Sequence, residues 1–376
     1  MSSPMNSIPK GMSFLLTIAI LAWVLPAQGQ TGRGVQTFVP SESQLKLESA
    51  MQILRESSTI QMGAVKAEAL MREAISLDPN QKRAYYNLIV LLLKTDRQAE
   101  AKSVLDEALK NNPDFGDAIA LTAYMQDQSS RGETDAYFQE AISQDSMSSV
   151  ANNHMAKVAL EKKDWQSAVL HSRKALVGNP ESINAYLNMA IAYYEQRQYD
   201  LAILVARSGL RHDSDNANLL NLEGLILLKK DDVKEALSRF SRAVTAEPGN
   251  LEAQLNAGAL TLNYNDFESS LKHFDAASQI DPSHMEALLS KGVALRGLER
   301  FTEAEAVFKE GLKRFPNESQ PQYNLCILYH EHMNQYETAL VECQKYANQL
   351  SGEHPKKEEM VKRIEGIQST IEALKE

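Results

Sequence analysis

The feature that most constrains this chain is a spacing of 34 residues that recurs through residues 147–316. Small residues mark the spacing at Ala168, Ala202, Ala236, Ser270 and Ala304. A proline closes most of the segments, at Pro180, Pro248, Pro282 and Pro316. Self-similarity at a fixed period is the signature of a repeat architecture. The chain is therefore expected to be a stack of similar units rather than a domain around one central core.

Each unit has room for two short helices. A period of this length accommodates two helices of about a dozen residues and two turns. Near the middle of the chain, Tyr186, Ala190 and Tyr193 share one face of a helix, and Ala202 and Ala206 share one face of the next. Small residues let two helix backbones approach closely, and a proline cannot continue a helix interior. The sequence therefore predicts an all-α fold of helix–turn–helix repeats.

This pattern resembles the tetratricopeptide repeat (TPR). That family has a bulky residue, Leu-Gly, a second bulky residue, and then Ala, an aromatic residue, Ala and Pro at fixed offsets. One segment carries the pattern as Leu220, Gly224, Leu227, Ala236, Phe240, Ala243 and Pro248. The resemblance covers residues 41–350 in about nine copies. It implies a right-handed TPR superhelix, an α-solenoid, with residues 351–376 as a C-terminal capping helix.

Residues 1–29 have the pattern of a secretory signal peptide. Lys10 precedes an apolar run over residues 12–25, a proline ends that run, and small residues follow up to Gly29. The alternative is a retained membrane anchor, but a spanning helix needs roughly 20 apolar residues. We therefore expect no membrane span after cleavage and, without a cysteine near the cleavage site, no lipoprotein anchor. Residues 30–40 lack a helical period and are expected to form a flexible leader.

Local features refine the predicted helices. Ser41 and Gln44 fit a capping box at the start of the first helix. The third repeat has a polar connector over residues 126–134 and is one residue short, so a looser turn is expected there. The ninth repeat has one residue too many, which we place in the turn near residues 332–335. One apolar stripe predicts the capping helix, with Met360, Ile364, Ile367, Ile371 and Leu374.

The sequence has no motif for catalysis or cofactor binding. A phosphate loop, a dinucleotide fingerprint and a nucleophile elbow are all missing from it. In His330-Glu331-His332 the histidines are two residues apart and point to different faces of a helix, which disfavours a metal site. A net charge of −10, without a basic patch interleaved with aromatic residues, disfavours nucleic acid as a partner. We therefore expect no enzymatic activity, no cofactor and no bound metal.

Cys326 and Cys343 are the only cysteines in the sequence. They fall on the two helices of the ninth repeat, at positions expected to face inward. An oxidising compartment would allow a disulfide between them. The alternative is a pair of buried thiols, since a free cysteine packs as a small hydrophobe. The sequence leaves both readings open.

The TPR resemblance implies that the first helix of each repeat lines a concave groove. Asparagine recurs on these helices, at Asn87, Asn153, Asn188, Asn221, Asn256 and Asn324. An amide can pair with the backbone of an extended peptide because it both donates and accepts hydrogen bonds. Neighbouring positions hold Tyr86, Leu187, Tyr194, Leu225, Leu255, Leu289, Arg296 and Tyr323. We predict that this groove binds a peptide or partner protein; the alternative is that asparagine is simply frequent at this position.

The sequence thus predicts an exported, non-enzymatic scaffold or adaptor that binds proteins or extended peptides. In a bacterium it would lie in the periplasm, where it would serve a cell-envelope assembly for gliding motility, pilus formation, secretion or outer-membrane biogenesis. Residues 323–346 resemble the TPR component of the gliding-motility machinery. The alternatives are a lumenal co-chaperone-like TPR protein, a peptidoglycan- or carbohydrate-binding TPR protein, and an enzyme that keeps a TPR stack as its substrate-binding arm.

Overall fold

The computed structural model describes residues 40–57, 59–125, 131–350 and 354–376. Within these ranges the chain forms nineteen α-helices and one π-helical turn, and no strand. The predicted all-α fold is confirmed. The predicted signal peptide and all but the last residue of the predicted leader lie outside the described residues. None of the described helices is long and apolar enough to cross a membrane.

The described chain divides into two compact units, one ending at Ser214 and the other comprising Asp215–Glu376. The helices of the first unit are α1 (Glu42–Glu56), α2 (Ile60–Leu77), α3 (Lys82–Lys94), α4 (Gln98–Asn111), α5 (Gly116–Met125), α6 (Arg131–Gln144), α7 (Ser149–Glu161), α8 (Trp165–Gly178), α9 (Ile183–Glu195) and α10 (Tyr199–Leu210). Those of the second unit are α11 (Ala217–Lys229), α12 (Val233–Ala246), α13 (Leu251–Asn263), α14 (Phe267–Ile280), α15 (Met285–Gly297), α16 (Phe301–Arg314), α17 (Gln320–Ile327), α18 (Tyr336–Gln349) and α19 (Lys357–Ala373).

Helices pack in consecutive pairs, from α1 with α2 to α17 with α18. Within each unit, the second helix of a pair also packs against the first helix of the next pair. The small residues that mark the period are the points of closest packing. All of them are fully buried: Ala168, Ala202, Ala236, Ser270 and Ala304. A larger side chain at any of these positions would push two helices apart, which explains why the sequence keeps the positions small.

In each pair from α7–α8 to α15–α16, the turn between the two helices is built on one left-handed residue. Lys163, Arg197, Asp231, Asn265 and Glu299 recur at the repeat spacing with φ between 59° and 64°. The amide that follows bonds back to the end of the first helix, as in Asp232 N to Leu227 O (2.9 Å). The Asp232 carboxylate then accepts from Glu235 N and caps the second helix. These local bonds stop one helix and start the next within three residues.

Glycine on the first helix receives the aromatic ring of the second. A Cβ placed on Gly224 would lie 2.5 Å from Phe240 Cε1, which is too close for any real side chain. At Gly258 the corresponding distance, to Phe274 Cε2, is 3.1 Å. The Gly and Phe positions of the repeat are therefore two halves of one contact.

The structure corrects the predicted repeats at three points. Helix α6 already begins at Arg131, so the connector is shorter than the predicted residues 126–134. Polar residues do not exclude a helix, because the exposed face of a surface helix is also polar. The extra residue of the ninth repeat lies in the π-helical turn Leu328–His332 rather than in the following turn. Leu374 is 69% exposed and does not join the buried stripe, because α19 ends before it.

Two other local predictions agree with the structure. The Ser41 and Gln44 side chains each bond the other's backbone N–H, so the capping box is present. Helix α19 packs against α18, with Met360 and Ile367 fully buried. The end of the second unit is therefore covered by an additional amphipathic helix, as terminal repeats of a stack require.

Candidate functional site

The first helices of successive repeats lie side by side. In the first unit α5 packs against α7 and α7 against α9, and in the second unit α11, α13, α15 and α17 follow one another in the same way. No two successive second helices in the described ranges make contact as extensive. Because neighbours are closest on this side, each stack curves toward it and presents a concave surface there. We call this surface, in either unit, the first-helix face.

Four of the predicted asparagines pair across neighbouring first helices. Asn188 Nδ2 donates to the backbone carbonyl of Asn153 (3.3 Å). Asn256 Nδ2 donates to Asn221 Oδ1 (2.9 Å). A side-chain amide has two N–H donors and an oxygen with two lone pairs. After one such bond, the side chains of Asn188 and Asn256 can therefore still donate and accept further hydrogen bonds. The pairing holds the amides of Asn188 and Asn256 in fixed orientations.

The predicted asparagines differ in their access to a ligand. Asn87 and Asn221 are buried, with 6% and 9% of their surface exposed. Asn153 Nδ2 donates to Ser182 Oγ (2.8 Å), while its Oδ1 is buried without a hydrogen-bond partner among the described residues. Asn324 is half-buried, and its side chain makes no hydrogen bond within the part of the chain that the structure describes. Asn188, Asn256 and Asn324 are therefore best placed to meet a ligand.

Leucines of the first-helix face fall into two groups by burial. Leu225 and Leu255 are half-buried and keep part of their surface open. Leu187 and Leu289 are buried, with 9% and 7% of their surface exposed. The half-buried leucines can gain burial from a bound segment, at roughly 25 cal/mol per Å² of apolar surface that they lose to it. Leu187 and Leu289 pack inside the fold instead and contribute to its stability.

The tyrosines of the first unit's face have their hydroxyl groups in poorly hydrated surroundings. Burial, and then the charge of Asp117, raises the pKa of Tyr86. The Tyr194 ring lies 5.8 Å from that of Tyr199, measured between centroids, and burial raises the pKa of Tyr194 to about 12. Both hydroxyls remain protonated near neutral pH. The Tyr194 hydroxyl can therefore donate a hydrogen bond to a ligand oxygen, whereas the Tyr86 hydroxyl is enclosed by the protein.

Arg296 and Tyr323 come together at the C-terminal end of the second unit's face. Burial lowers the pKa of the Arg296 guanidinium, and the charge of Glu331 acts against that effect. Lys356 Nζ lies over the Tyr323 ring, 4.4 Å from its centroid. On its other side the Tyr323 ring packs near Tyr346, with 5.2 Å between centroids. Charges of both signs therefore act on the Tyr323 hydroxyl, from Arg296 and Arg363 and from Glu331 and Glu359.

The sequence analysis missed two partly buried polar pairs between the helices of a repeat. His171 Nδ1 bonds Asn152 Oδ1 (2.9 Å), and His273 Nδ1 bonds Gln254 Oε1 (2.8 Å). Asn152 and Gln254 stand where the repeat pattern has a bulky residue, and the histidine follows 19 residues later in both cases. A polar residue in place of the bulky one, followed by a histidine 19 residues later, was the signal in the sequence from which these pairs could have been predicted. Burial lowers the pKa of both histidines, so their rings stay neutral near pH 7.

Cys326 and Cys343 are joined by a disulfide in the structure. The bond links α17 to α18 across a sequence separation of 17, with 4.8 Å between the Cα atoms. Both residues are fully buried. The sulfur atom of Met360, on α19, lies 3.8 Å from Cys326 Sγ. The disulfide thus sits at the centre of the three last helices.

A cavity of about 780 Å³ lies away from the first-helix face, against the second helices α14 and α16. Leu271, Leu295 and Val307 form its apolar floor. Its rim is charged with both signs, and Lys291 Nζ pairs with Asp275 Oδ1 there (2.5 Å). Two ion pairs of its rim, Lys291 with Asp275 and Arg300 with Glu303, are already formed within the protein.

Family models of the tetratricopeptide repeat match residues 64–123, 187–251 and 255–319. These stretches comprise about half of the chain, and they lie within the paired helices described above. The chain belongs to the tetratricopeptide-repeat family. TPR proteins bind protein partners and are typically non-catalytic, so the chain is a TPR scaffold of the kind that mediates protein–protein interactions.

This TPR protein is similar to parts of larger proteins. It is 24% identical over 198 residues to the human protein O-mannosyl-transferase TMTC3, covering 51% of this chain and 22% of that protein. It is 26% identical over 194 residues to a BBSome complex member BBS4 homolog of Drosophila melanogaster, covering 51% and 40%. The chain thus spans less than half the length of either relative.

Among solved structures, a chain of the APC/C hetero-tetramer Cut9–Hcn1 resembles this TPR protein with a TM-score of 0.56 at 14% identity. The likeness covers 84% of this chain and 62% of that one. Because it extends over most of the chain, it supports the assignment of a TPR solenoid fold. At this level of identity it concerns the fold alone.

Proposed function

We propose that this TPR protein is an exported, non-enzymatic scaffold that holds an extended segment of a partner protein on its first-helix face. The observation that carries the proposal is the placement of Asn256 and Asn324 on the first-helix face of the second unit, and of Asn188 on the first-helix face of the first unit. All three are half-buried, so their remaining donors and acceptors are reachable but poorly hydrated. Hydrogen bonds to such groups contribute more than bonds to fully hydrated ones.

In this mechanism the amides bind backbone and the half-buried leucines bind side chains. The inter-repeat bonds of Asn188 and Asn256 fix their side chains before a ligand arrives, which reduces the entropy lost on binding. An extended segment has an unpaired N–H and C=O at every residue, and amides can satisfy both. Leu225 and Leu255 then bury alternate side chains of the segment. Affinity would come from the backbone and specificity from the leucines.

A scaffold role within a larger assembly is consistent with one relative, which is named as a member of a complex. The other relative is named a transferase, but the similarity spans only 22% of it. We therefore propose that this chain acts by binding rather than by catalysis. Its partners would be proteins of a cell-envelope assembly.

Two features support export. Residues 1–29 have the charge, apolar run and small residues of a signal peptide. The pairing of Cys326 with Cys343 suits an oxidising compartment, where disulfides persist. To test export, residues 1–29 would be fused to a reporter enzyme that is active only outside the cytoplasm. Reporter activity is expected; an inactive reporter retained in the cytoplasm would refute export.

The binding proposal is tested by quantitative pull-down from solubilised envelope extract of the native host. The wild-type protein would be compared with an Asn188→Ala/Asn256→Ala/Asn324→Ala variant. Each lost hydrogen bond costs about 1 kcal/mol, so captured partners should fall by about tenfold or more. Asn112→Ala is the matched control, because Asn112 is buried and bonds Pro79 O (3.3 Å) away from the first-helix face. Equal capture by all three proteins would contradict the proposal.

The single variant Asn324→Ala separates binding from stability. Asn188 and Asn256 hold neighbouring helices together, so their loss is expected to lower the thermal midpoint as well as binding. The Asn324 side chain makes no hydrogen bond within the described part of the chain, so its loss should weaken capture at an unchanged midpoint. A lowered midpoint with unchanged capture would assign Asn324 a structural role only.

A further inference from the structure

The second helices α8 and α10 of the first unit carry exposed apolar side chains. Leu170 and Leu204 are 53% and 59% exposed, and they occupy the same position of successive repeats, 34 residues apart. Val177 on α8 and Leu201 on α10 are exposed as well. Both helices pack against α9, so the four side chains belong to adjoining parts of one surface. Exposed apolar residues grouped in this way mark a surface that contacts a protein or a membrane.

Arginines occupy the same outward face of these two helices. Arg173 follows Leu170 by three residues on α8, and Arg207 follows Leu204 by three residues on α10. Residues at this spacing are neighbours on a helix surface. Arg211 lies one turn further along, at the end of α10. The surface is therefore both apolar and cationic. We call it the α8–α10 patch, which comprises Leu170, Arg173, Val177, Leu201, Leu204 and Arg211.

Few acidic residues balance these cations. Helix α8 contains no aspartate or glutamate, and α10 contains only Asp200, whereas each of the other second helices contains a glutamate. Among the described residues, no carboxylate pairs with Arg173, Lys174 or Arg211. Arg173 donates instead to the hydroxyl of Tyr193 (2.9 Å). In a chain of net charge −10, this local excess of positive charge favours an anionic partner.

The form of the α8–α10 patch favours a flat, deformable partner. Second helices lie on the convex side of the first unit, away from the first-helix face. Leu170, Val177 and Leu204 each expose more than half of their surface, so they project from the helices and do not line a hollow. A lipid surface can receive projecting side chains from two neighbouring helices at once, whereas a protein partner needs a matching hollow for each. Leucine then inserts below the headgroups while arginine reaches their phosphates.

We propose that the α8–α10 patch docks the protein on a membrane surface that contains anionic phospholipids. Its arginines bind the headgroup phosphates, and its leucines lie at the boundary between headgroups and acyl chains. The contact is peripheral, because it is made by side chains on the surface of a folded stack. It leaves the first-helix face of the same unit, with Asn188 and Tyr194, open on the other side. The membrane contact and the partner binding proposed above use different surfaces, so either can exist without the other.

Vesicle co-sedimentation tests the membrane contact with the protein in the form that its native host produces. The vesicles consist either of phosphatidylcholine alone or of phosphatidylcholine and anionic phosphatidylglycerol in equal parts. We expect the wild type to bind the anionic vesicles at least about tenfold more tightly than the neutral ones, because each cation near an anionic surface strengthens the binding. Added salt should weaken this binding, since it screens the charges.

Two variants separate the charged from the apolar contribution. Arg173→Gln/Arg211→Gln should lower binding to the anionic vesicles at least about tenfold, so that the preference over neutral vesicles is lost. Leu170→Ser/Leu204→Ser should weaken binding about tenfold but leave it sensitive to salt, because the cations remain. The replaced side chains are exposed, so circular dichroism should show equal helicity in all variants.

The matched controls are Lys272→Gln/Lys313→Gln and Val341→Ser, which remove exposed cations and an exposed apolar side chain from second helices of the second unit. Both should bind anionic vesicles as the wild type does. Equal binding to neutral and anionic vesicles, or unchanged binding in both α8–α10 variants, would overturn the inference and leave the proposed function standing. Absence of vesicle binding would overturn it too. If Arg173→Gln/Arg211→Gln then lost an envelope protein in the pull-down, the patch would be assigned to an acidic protein instead.

Discussion

At the scale of single residues, glycine sets how closely the two helices of a repeat approach. Gly224→Ala would place a Cβ 2.5 Å from Phe240 Cε1, and Phe240 is fully buried and cannot retreat. We expect a loss of about 1–3 kcal/mol from overpacking, measured as a lower thermal or denaturant midpoint. Gly258→Ala should cost less, because its Cβ would meet Phe274 at 3.1 Å.

Gly366→Ala provides the opposite control. Gly366 lies inside α19, and a Cβ there would meet nothing within 4 Å. Alanine should therefore add up to about 1 kcal/mol of helix propensity without any clash. If the Gly224→Ala variant proved as stable as the Gly366→Ala variant, the close contact between Gly224 and Phe240 would be contradicted.

Two partly buried histidines are expected to make the fold sensitive to acid. Burial lowers the pKa of His171 and His273 in the folded chain below the ordinary value of 6.5. The unfolded chain therefore binds more protons below that pH, and the stability contributed by the neutral rings is lost as the pH falls through it. We expect the thermal midpoint to be steady from pH 8 to 7 and to decline toward pH 5.5.

A His171→Leu/His273→Leu variant checks the origin of that decline. It should be less stable at pH 7.5, because Asn152 Oδ1 and Gln254 Oε1 lose their hydrogen-bond partners, but its midpoint should change less between pH 7 and 5.5. Carboxylates such as Glu68, whose pKa is lowered mainly by its bond to Arg97, act only in a more acidic range. A midpoint that rises on acidification would refute this account.

At the scale of helices, the repeat period predicted most of the secondary structure. The small residues, the Gly and Phe positions and the closing prolines keep one packing role in each copy that has them, so a single sequence reveals them by repetition. The π-helical turn of Leu328–His332 could not be found in this way. An added residue shows only as a change in spacing, and tertiary packing decides whether a turn or a helix absorbs it.

The disulfide is expected to stabilise the last repeat. Chain-entropy arguments give about 3 kcal/mol for a loop of this size. Reduction should lower the unfolding midpoint of the second unit, and it should loosen α19, since Met360 packs on Cys326 Sγ (3.8 Å). A Cys326→Ala/Cys343→Ala variant should not respond to reductant. Titration of the unfolded, unreduced protein should find no free thiol; two free thiols would refute the bond.

At the scale of the whole molecule, the family and fold follow from the sequence more directly than the site does. Repetition shows which helices form a common face, but it does not show which of its side chains are already engaged. Asn153 and Asn221 accept bonds from the next repeat, and Asn87 is buried. These contacts join residues about one repeat apart and depend on the curvature of the stack. The candidate site is therefore smaller than the sequence pattern predicted.

The central claim is that partners bind the first-helix face, and site-specific photo-crosslinking tests it most directly. A photoreactive amino acid would replace Leu225, Leu255 or Tyr323 on first helices. Control positions would be Leu204 and Val341, which lie on second helices and are 59% and 47% exposed. The proteins would be irradiated in their native compartment, and the crosslinked partners would be identified by mass spectrometry.

We predict that the first-helix positions yield crosslinks to a common partner and that the control positions do not. Crosslinks to the same partner from Leu204 or Val341, with none from Leu225, Leu255 or Tyr323, would contradict the account. The binding surface would then lie on the second helices, where the charged cavity against α14 and α16 is found.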